Sequence, residues 1–222
     1  MEERRVHMNS AGVFPFGQPI LPLDQKDRSP KRVFVLGVYA SAVHARWVDK
    51  DGSQKIDALA VASEPEIFWR GSPDEAKRII DTIIVPAGAG CLLPASKQLN
   101  GPSGQALDDL FLRPLGCTRD DAWLCDLVPH SCMNPKQELA LKREYDPKRE
   151  ELGLPAYDWP KLPDVLANEV RRSEIEAELV ASCAELVVTL GDLPLKWFAS
   201  HYGTKTQLSA YGQTTAEYGN RH

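Results

Sequence analysis

The sequence predicts an α/β fold with a mostly parallel sheet and helices on both of its faces. Three observations carry this. Residues 33–36, 122–128 and 185–191 are short, largely apolar runs (VFVL, AWLCDLV and ELVVTLG), the pattern of strands buried on both sides. Stretches of helical periodicity separate them, so strand and helix alternate along the chain. No internal repeat suggests another architecture. Ligands of such folds bind outside the carboxyl ends of the strands, which here are residues 37–41, 126–134 and 191–192.

The elements follow in order. Residues 1–30 hold Gly, Pro, Asn and Ser with few periodic apolar positions, and read as an N-terminal arm, partly ordered at best. Residues 31–222 read as a single domain. After the first strand, HARWVDKDGSQKIDALAVA places two extended stretches around the turn dipeptide Asp51-Gly52, a hairpin insertion over 44–70. In GSPDEAKRIIDTI, Ser72 is the expected N-cap, Pro73 the first helical residue and Glu75 the capping-box partner. Residues 84–102, rich in Gly, Pro and small side chains, read as one long loop. Ala106, Leu107, Leu110 and Phe111 recur at helical spacing in SGQALDDLFLRPLG, which Pro114 and Gly116 end. A polar connection at 118–121 leads into the second strand. NPKQELALKREY reads as a helix, the charged, Pro-rich 146–163 as a surface excursion and 164–184 as one long helix. After the third strand, DLPLKWFASHY is a helix with Asp192 as cap and Pro194 in its first turn. The last twenty residues read as loop or edge strand.

Composition bounds the function. The 222 residues are 43% hydrophobic and 26% charged, enough to build a real core. A net charge of −5 argues against a broad basic surface for nonspecific duplex binding, and leaves room for a local basic groove. No apolar run reaches the length of a membrane span and no signal peptide is visible, so a cytoplasmic protein without a membrane partner is expected. The five cysteines are odd in number and form no CxxC pair, so they read as free thiols. No metal site or cofactor is expected.

Four blocks, in order, resemble one family. VFVLGVYAS stands where that family has a strand ending in a Gly-Glu-Ala-Pro-Gly-like turn, and GPSGQALDDL where it has a Gly-x-Ala-Gly-x-x-Leu-Asp helix start. GCTRDDAWLCDLVPHSCMNP stands where it has a strand entering a Pro/Asn-rich loop, and EVRRSEIEAELVASCAELVVTLGDLPLKWF where it has a long helix, a strand and a helix. The chain thus resembles the uracil-DNA glycosylase superfamily over residues 32–200, apart from the hairpin and the 146–163 excursion. The resemblance implies a three-layer α/β/α sandwich and a pocket for an extruded base, with DNA or a nucleotide as the partner. It also implies hydrolysis of an N-glycosidic bond in damaged DNA.

The departures from the family decide which residues could act. Where its first turn carries an acidic or amide residue, this chain has Val38 and Tyr39 after Gly37, and neither is a carboxylate base. Where it reads the base with asparagine, this chain has Asp126, which when ionised only accepts hydrogen bonds. Asp126, Glu64 and Glu66 are therefore the candidates for orienting water. Leu99 stands where a stacking aromatic is expected, with Phe68 and Trp69 as substitutes. The family's late His-Pro-Ser-like loop and its iron–sulfur cysteine spacing are missing. His222 is a lone terminal histidine, which leaves His130 and His44 just beyond strand ends. Gly37, Val38, Tyr39, Leu99, Phe68, Trp69 and His130 form the expected base site. Ser41, His44, Arg46, Ser103 and Gly104 form the expected phosphate site, with backbone N–H groups at a helix start as anion donors. Two readings stay open: a divergent glycosylase, and a non-catalytic module on the same fold that binds a nucleotide, a nucleic acid or a protein. A doubly wound hydrolase using Ser41 or a cysteine has no GxSxG or Cys–His signature behind it.

Overall fold

The computed structural model describes residues 10–203. The chain is a mixed α/β protein containing a parallel three-stranded sheet and, beside it, an antiparallel three-stranded sheet. The central strand of the parallel sheet is β3 (Val33–Tyr39), flanked by β7 (Ala122–Val128) and β8 (Leu186–Thr189). All seven residues of β7 are buried, as an apolar run without alternation requires. The register pairs Tyr39 with Val128, so β3 and β7 end level, while β8 ends earlier, with Thr189 opposite Leu36.

The two faces of this sheet belong to two different hydrophobic clusters. Phe34, Leu36, Trp123, Cys125 and Leu127 pack against α4 (Glu169–Ser182) and α5 (Asp192–Tyr202) through Ile175, Leu179, Trp197 and Phe198. The alternate residues Val33, Val35, Ala122 and Leu124 pack against Leu107 and Leu112. Those two residues belong to widened, π-helical turns (Leu107–Leu112) that continue α2 (Pro102–Ala106). The two-residue period of a strand makes this division. Gly37 and Asp126 fall on the α2 face by the same count.

The sheet expected to be mostly parallel is instead two sheets, because β3 runs with only Ala40 and Ser41 between it and β4 (Ala42–Val48). That strand pairs antiparallel with β5 (Gln54–Ser63), turning at Asp51-Gly52, where Gly52 has φ 81°. On its other edge β4 pairs with β6 (Cys91–Pro94), so the stretch 84–102 is not one long loop. Helix α1 (Pro73–Asp81) packs on this sheet through Ala76 and Ile80. Ser72 caps it by accepting from the N–H of Glu75 at 3.4 Å, but the Glu75 carboxylate accepts from the Trp69 indole at 2.6 Å.

Two segments expected at the surface are core. A short ribbon, β1 (Gly12–Val13) with β2 (Pro19–Ile20), carries Phe14, Phe16 and Ile20, all buried with the antiparallel sheet. The Phe14 ring meets Trp159 edge-on at 5.4 Å, and Phe16 meets Trp47 at 5.7 Å and Tyr145 at 5.5 Å. Residues 146–163 supply Trp159 and Leu154 to the same core. Tyr145 ends a helix formed by α3 (Pro135–Ala140) and its π-helical continuation Leu141–Tyr145; its hydroxyl donates to the Pro155 carbonyl at 2.8 Å. Helix α4 begins later than expected, where Asn168 accepts from the Arg171 N–H. Gly191 rather than Asp192 is the N-cap of α5. The tail beyond residue 203 lies outside the described residues.

All five cysteines are free. Among the described residues no helix is long and apolar enough to cross a membrane. Replacing Phe14, which is fully buried, by alanine is expected to cost about 3–5 kcal/mol of unfolding free energy. Leu21→Ala, at a side chain 38% exposed, should cost below about 1 kcal/mol. Urea denaturation of the two variants measures both.

Candidate functional site

The carboxyl ends of β3, β7 and β8 meet at a cavity of about 400 Å³. Gly37, Val38, Tyr39 and Ser41 reach it from β3 and its link to β4, Asp126 from β7, and Leu190 and Gly191 from the end of β8. Phe68 closes one side with α2 and its continuation, through Ser103, Ala106, Leu107 and Phe111. The convergence follows from the shared direction of three parallel strands, each of which releases its chain at the same edge.

Gly37 sets the geometry of the floor. A Cβ built there would lie 2.2 Å from Asp126 Oδ1 and 2.6 Å from Cζ of Phe68. A strand residue without a side chain therefore lets a carboxyl group and an aromatic ring close on the same spot. Phe68 itself holds a left-handed backbone, φ 52°, which costs a non-glycine residue roughly 1–3 kcal/mol. Arg119 holds it there. Its Nη2 donates to the Phe68 carbonyl at 2.6 Å and to the Gly104 carbonyl at 3.1 Å, while its Nε donates to Asp108 Oδ1 at 2.8 Å. One planar guanidinium thus ties the Phe68 loop to α2. Gly104 admits this contact, since a Cβ there would lie 2.1 Å from the Phe68 carbonyl oxygen.

Two buried carboxyl groups belong to this region, Asp126 on the cavity wall and Glu64 hydrogen-bonded to the lining residue Ser41. Asp126 is 4% exposed and its Oδ1 has no hydrogen-bond partner. Burial pushes its pKa up to about 7, against the opposing charge of Arg171. Arg171, on α4, donates from Nη2 to the Asp126 carbonyl at 2.7 Å and from Nη1 to Glu178 Oε1 at 3.2 Å. Glu64, directly after β5, is also 4% exposed. Burial first, and then the charge of Asp126, push it up to about 8, partly offset by hydrogen bonds from the Trp69 backbone and the Ser41 side chain. Burial raises both groups, and the charge of Asp126 adds to the rise at Glu64, so Glu64 is the later of the two to ionise.

The other expected residues lie elsewhere. Glu66 is exposed and faces Arg119 Nη1 at 3.8 Å, because Pro65 and Glu66 turn outward from the end of β5. Trp69 is buried in the antiparallel-sheet core, the opposite side of the chain from Phe68. Leu99 sits in a short 3-10 turn (Lys97–Leu99) outside the cavity lining. His44 and Arg46 lie on β4, which has already left the cavity for the antiparallel sheet. The His44 backbone is held at both N and O by the Asn100 side chain, and burial lowers its ring pKa, so the ring is neutral and a poor phosphate anchor. Arg46 faces Asp57 at 4.0 Å. His130 Nδ1 lies 3.1 Å from the Ser131 carbonyl, beyond β7 and outside the lining.

Sequence reasoning missed Phe111, Leu190, Arg119 and Arg171. Phe111 was on the expected apolar face of its helix and carried a signal; Arg119, in a polar connection, carried none. Among the described residues no group of three or more His, Cys, Asp or Glu could hold a metal ion. In comparisons with known proteins, no family model, no curated protein and no solved structure matches the chain.

The carboxyl pair makes stability depend on pH with a definite sign. Both folded-state pKa values lie above the ordinary 3.8 and 4.5. From there up to about 7 and 8 the folded chain keeps protons that the unfolded chain has released, so stability falls as pH rises and levels off above about 8. At about 1.4 kcal/mol per pKa unit, Glu64→Gln should raise the unfolding free energy at alkaline pH by up to about 5 kcal/mol and change it little below about pH 4.5. Urea titrations across that range measure the difference.

Proposed function

We propose that the cavity binds a nucleobase or nucleotide, and that the protein hydrolyses an N-glycosidic bond in damaged DNA. In this reading it is a divergent relative of the uracil-DNA glycosylase superfamily, built as a three-layer α/β/α sandwich around the parallel sheet. The observation that carries the reading is the buried Asp126 carboxyl on the wall of a base-sized cavity, with an unpartnered oxygen and Glu64 beside it. A carboxyl group whose pKa is about 7 is matched to proton transfer near neutral pH. Asp126 takes the part for which Val38 and Tyr39 have no suitable group. Its carboxylate accepts a proton from water as the water oxygen bonds to the anomeric carbon, while the bond from that carbon to the base nitrogen breaks and its electron pair leaves with the base. Glu64, protonated at that pH, keeps a second negative charge away from it. Tyr39 and Phe68 offer ring faces to an extruded base.

A binding module without chemistry is the second reading. Val38 and Tyr39 in the first turn favour it, as does the position of His130 outside the lining.

Incubation with single- and double-stranded DNA carrying uracil, hypoxanthine, xanthine or mismatches, followed by alkali, counts abasic sites. The expected result is base release with an optimum between about pH 7 and 8, where Asp126 ionises and Glu64 keeps its proton. Asp126→Asn should lower the rate roughly 10²–10⁴-fold. A labelled oligonucleotide that binds without any strand becoming alkali-labile leaves only the binding module.

A further inference from the structure

The chemistry of the cavity wall narrows what it can hold. Among the described residues, no lysine, arginine or histidine lines it. Its polar side chains are the Asp126 carboxyl and the hydroxyls of Tyr39, Ser41 and Ser103, and three aromatic rings share the space: Tyr39, Phe68 and Phe111. Two titratable neighbours stand near Asp126 on other elements. Glu64, at the end of β5, adds a second acid. Arg171 stands behind β7 on α4, bonded to the Asp126 backbone carbonyl and paired with Glu174 and Glu178.

Ring faces carry negative potential, and a cation placed against them in a desolvated site is attracted. A buried carboxylate adds to that attraction. A base that leaves as an anion instead requires a cation or strong donors where its charge develops, and among the side chains of the described wall only hydroxyls and the Asp126 carboxyl are polar. We propose that the cavity prefers a heterocycle carrying a positive charge, an N-alkylated nucleobase, over a neutral or acidic one such as uracil. This rests on reading the cavity as a base site.

Hydrolysis of such a substrate balances without an acid at the leaving group. The water oxygen forms a bond to the anomeric carbon, and the bond from that carbon to the ring nitrogen breaks. The bonding pair stays on the ring and cancels its positive charge, so the base departs neutral. The proton released by the water passes to the Asp126 carboxylate.

Calorimetric titration of the full chain at neutral pH compares the cations 3-methylcytidine and 1-methyladenosine with cytidine, adenosine and uridine. The cations are expected to bind about tenfold more tightly than their unmethylated counterparts. Asp126→Asn should remove most of that gap and Phe68→Leu should narrow it, with circular dichroism reporting that each variant is folded. If Asp126→Asn does not fold, the gap in Phe68→Leu decides. Equal or weaker binding of the cations, no binding of any nucleoside, or a gap that survives the decisive variant overturns the proposal. Base release from methylated and from uracil-containing DNA separates the two readings. A binding preference for cations without release from methylated DNA keeps this inference and sinks the hydrolytic reading. Release of uracil but not of methylated bases does the reverse.

Discussion

The contact on which the site depends is the one made possible by the missing side chain at Gly37. Asp126 Oδ1 and the edge of Phe68 both lie where a methyl group would be. The central strand contributes a bare patch of backbone, its neighbour a carboxyl group and a distant loop a ring. Each of the three is set by a different kind of force. Ladder pairing places Asp126 opposite Gly37, burial of the flanking apolar residues keeps β7 in that register, and the Arg119 guanidinium holds Phe68 in its left-handed conformation. The backbone strain at Phe68 is offset by a charge-assisted hydrogen bond to its carbonyl rather than relieved by a glycine.

The same burial that assembles the site gives it its acid–base character. Among the described residues, neither Asp126 nor Glu64 has a cation bonded to its carboxylate. Arg171 spends its hydrogen bonds on the Asp126 backbone carbonyl, the Cys125 thiol and the carboxylates of Glu174 and Glu178. Desolvation is therefore only partly compensated, and both carboxyl groups titrate near neutrality rather than in the ordinary acid range. A core built for stability alone would have replaced or paired these groups. Stability given up at one place for a titratable group in a cavity is the usual signature of a functional site.

Much of the parallel sheet was legible because its strands are buried on both sides and announce themselves as unbroken apolar runs. Their shared edge then follows from topology, and with it Gly37, Tyr39, Ser41 and Asp126. What could not be read has physical reasons. Strand β6 has four residues in a half-exposed alternation, too short to distinguish from a loop. Phe14 and Phe16 flank a proline and obey neither helical nor strand periodicity, so their burial is purely tertiary. Glu64 and Glu66 flank Pro65 symmetrically in sequence. Only the pairing of Ser63 with Ala42 sends the first inward and leaves the second exposed. His44 and Arg46 were read as if the chain stayed at the cavity after β3, whereas it passes into another sheet. The Arg119 clamp joins residues 51 positions apart through a backbone carbonyl, a contact that no local pattern encodes.

The link of two residues between β3 and β4 bears on how the chain tolerates changes of length. Ala40 and Ser41 join a strand of one sheet to a strand of the other, and the Ala40 N–H still bonds to the Val128 carbonyl at 3.3 Å. No slack exists there to absorb an added or deleted residue. A shift of one position would turn every side chain of β4 to the opposite face, Trp47 outward and Arg46 inward. The tip of the β4–β5 hairpin, open around Gly52, has room for such a change. Length variation in this protein therefore belongs at the far end of the hairpin, and the end beside the cavity is fixed to the residue.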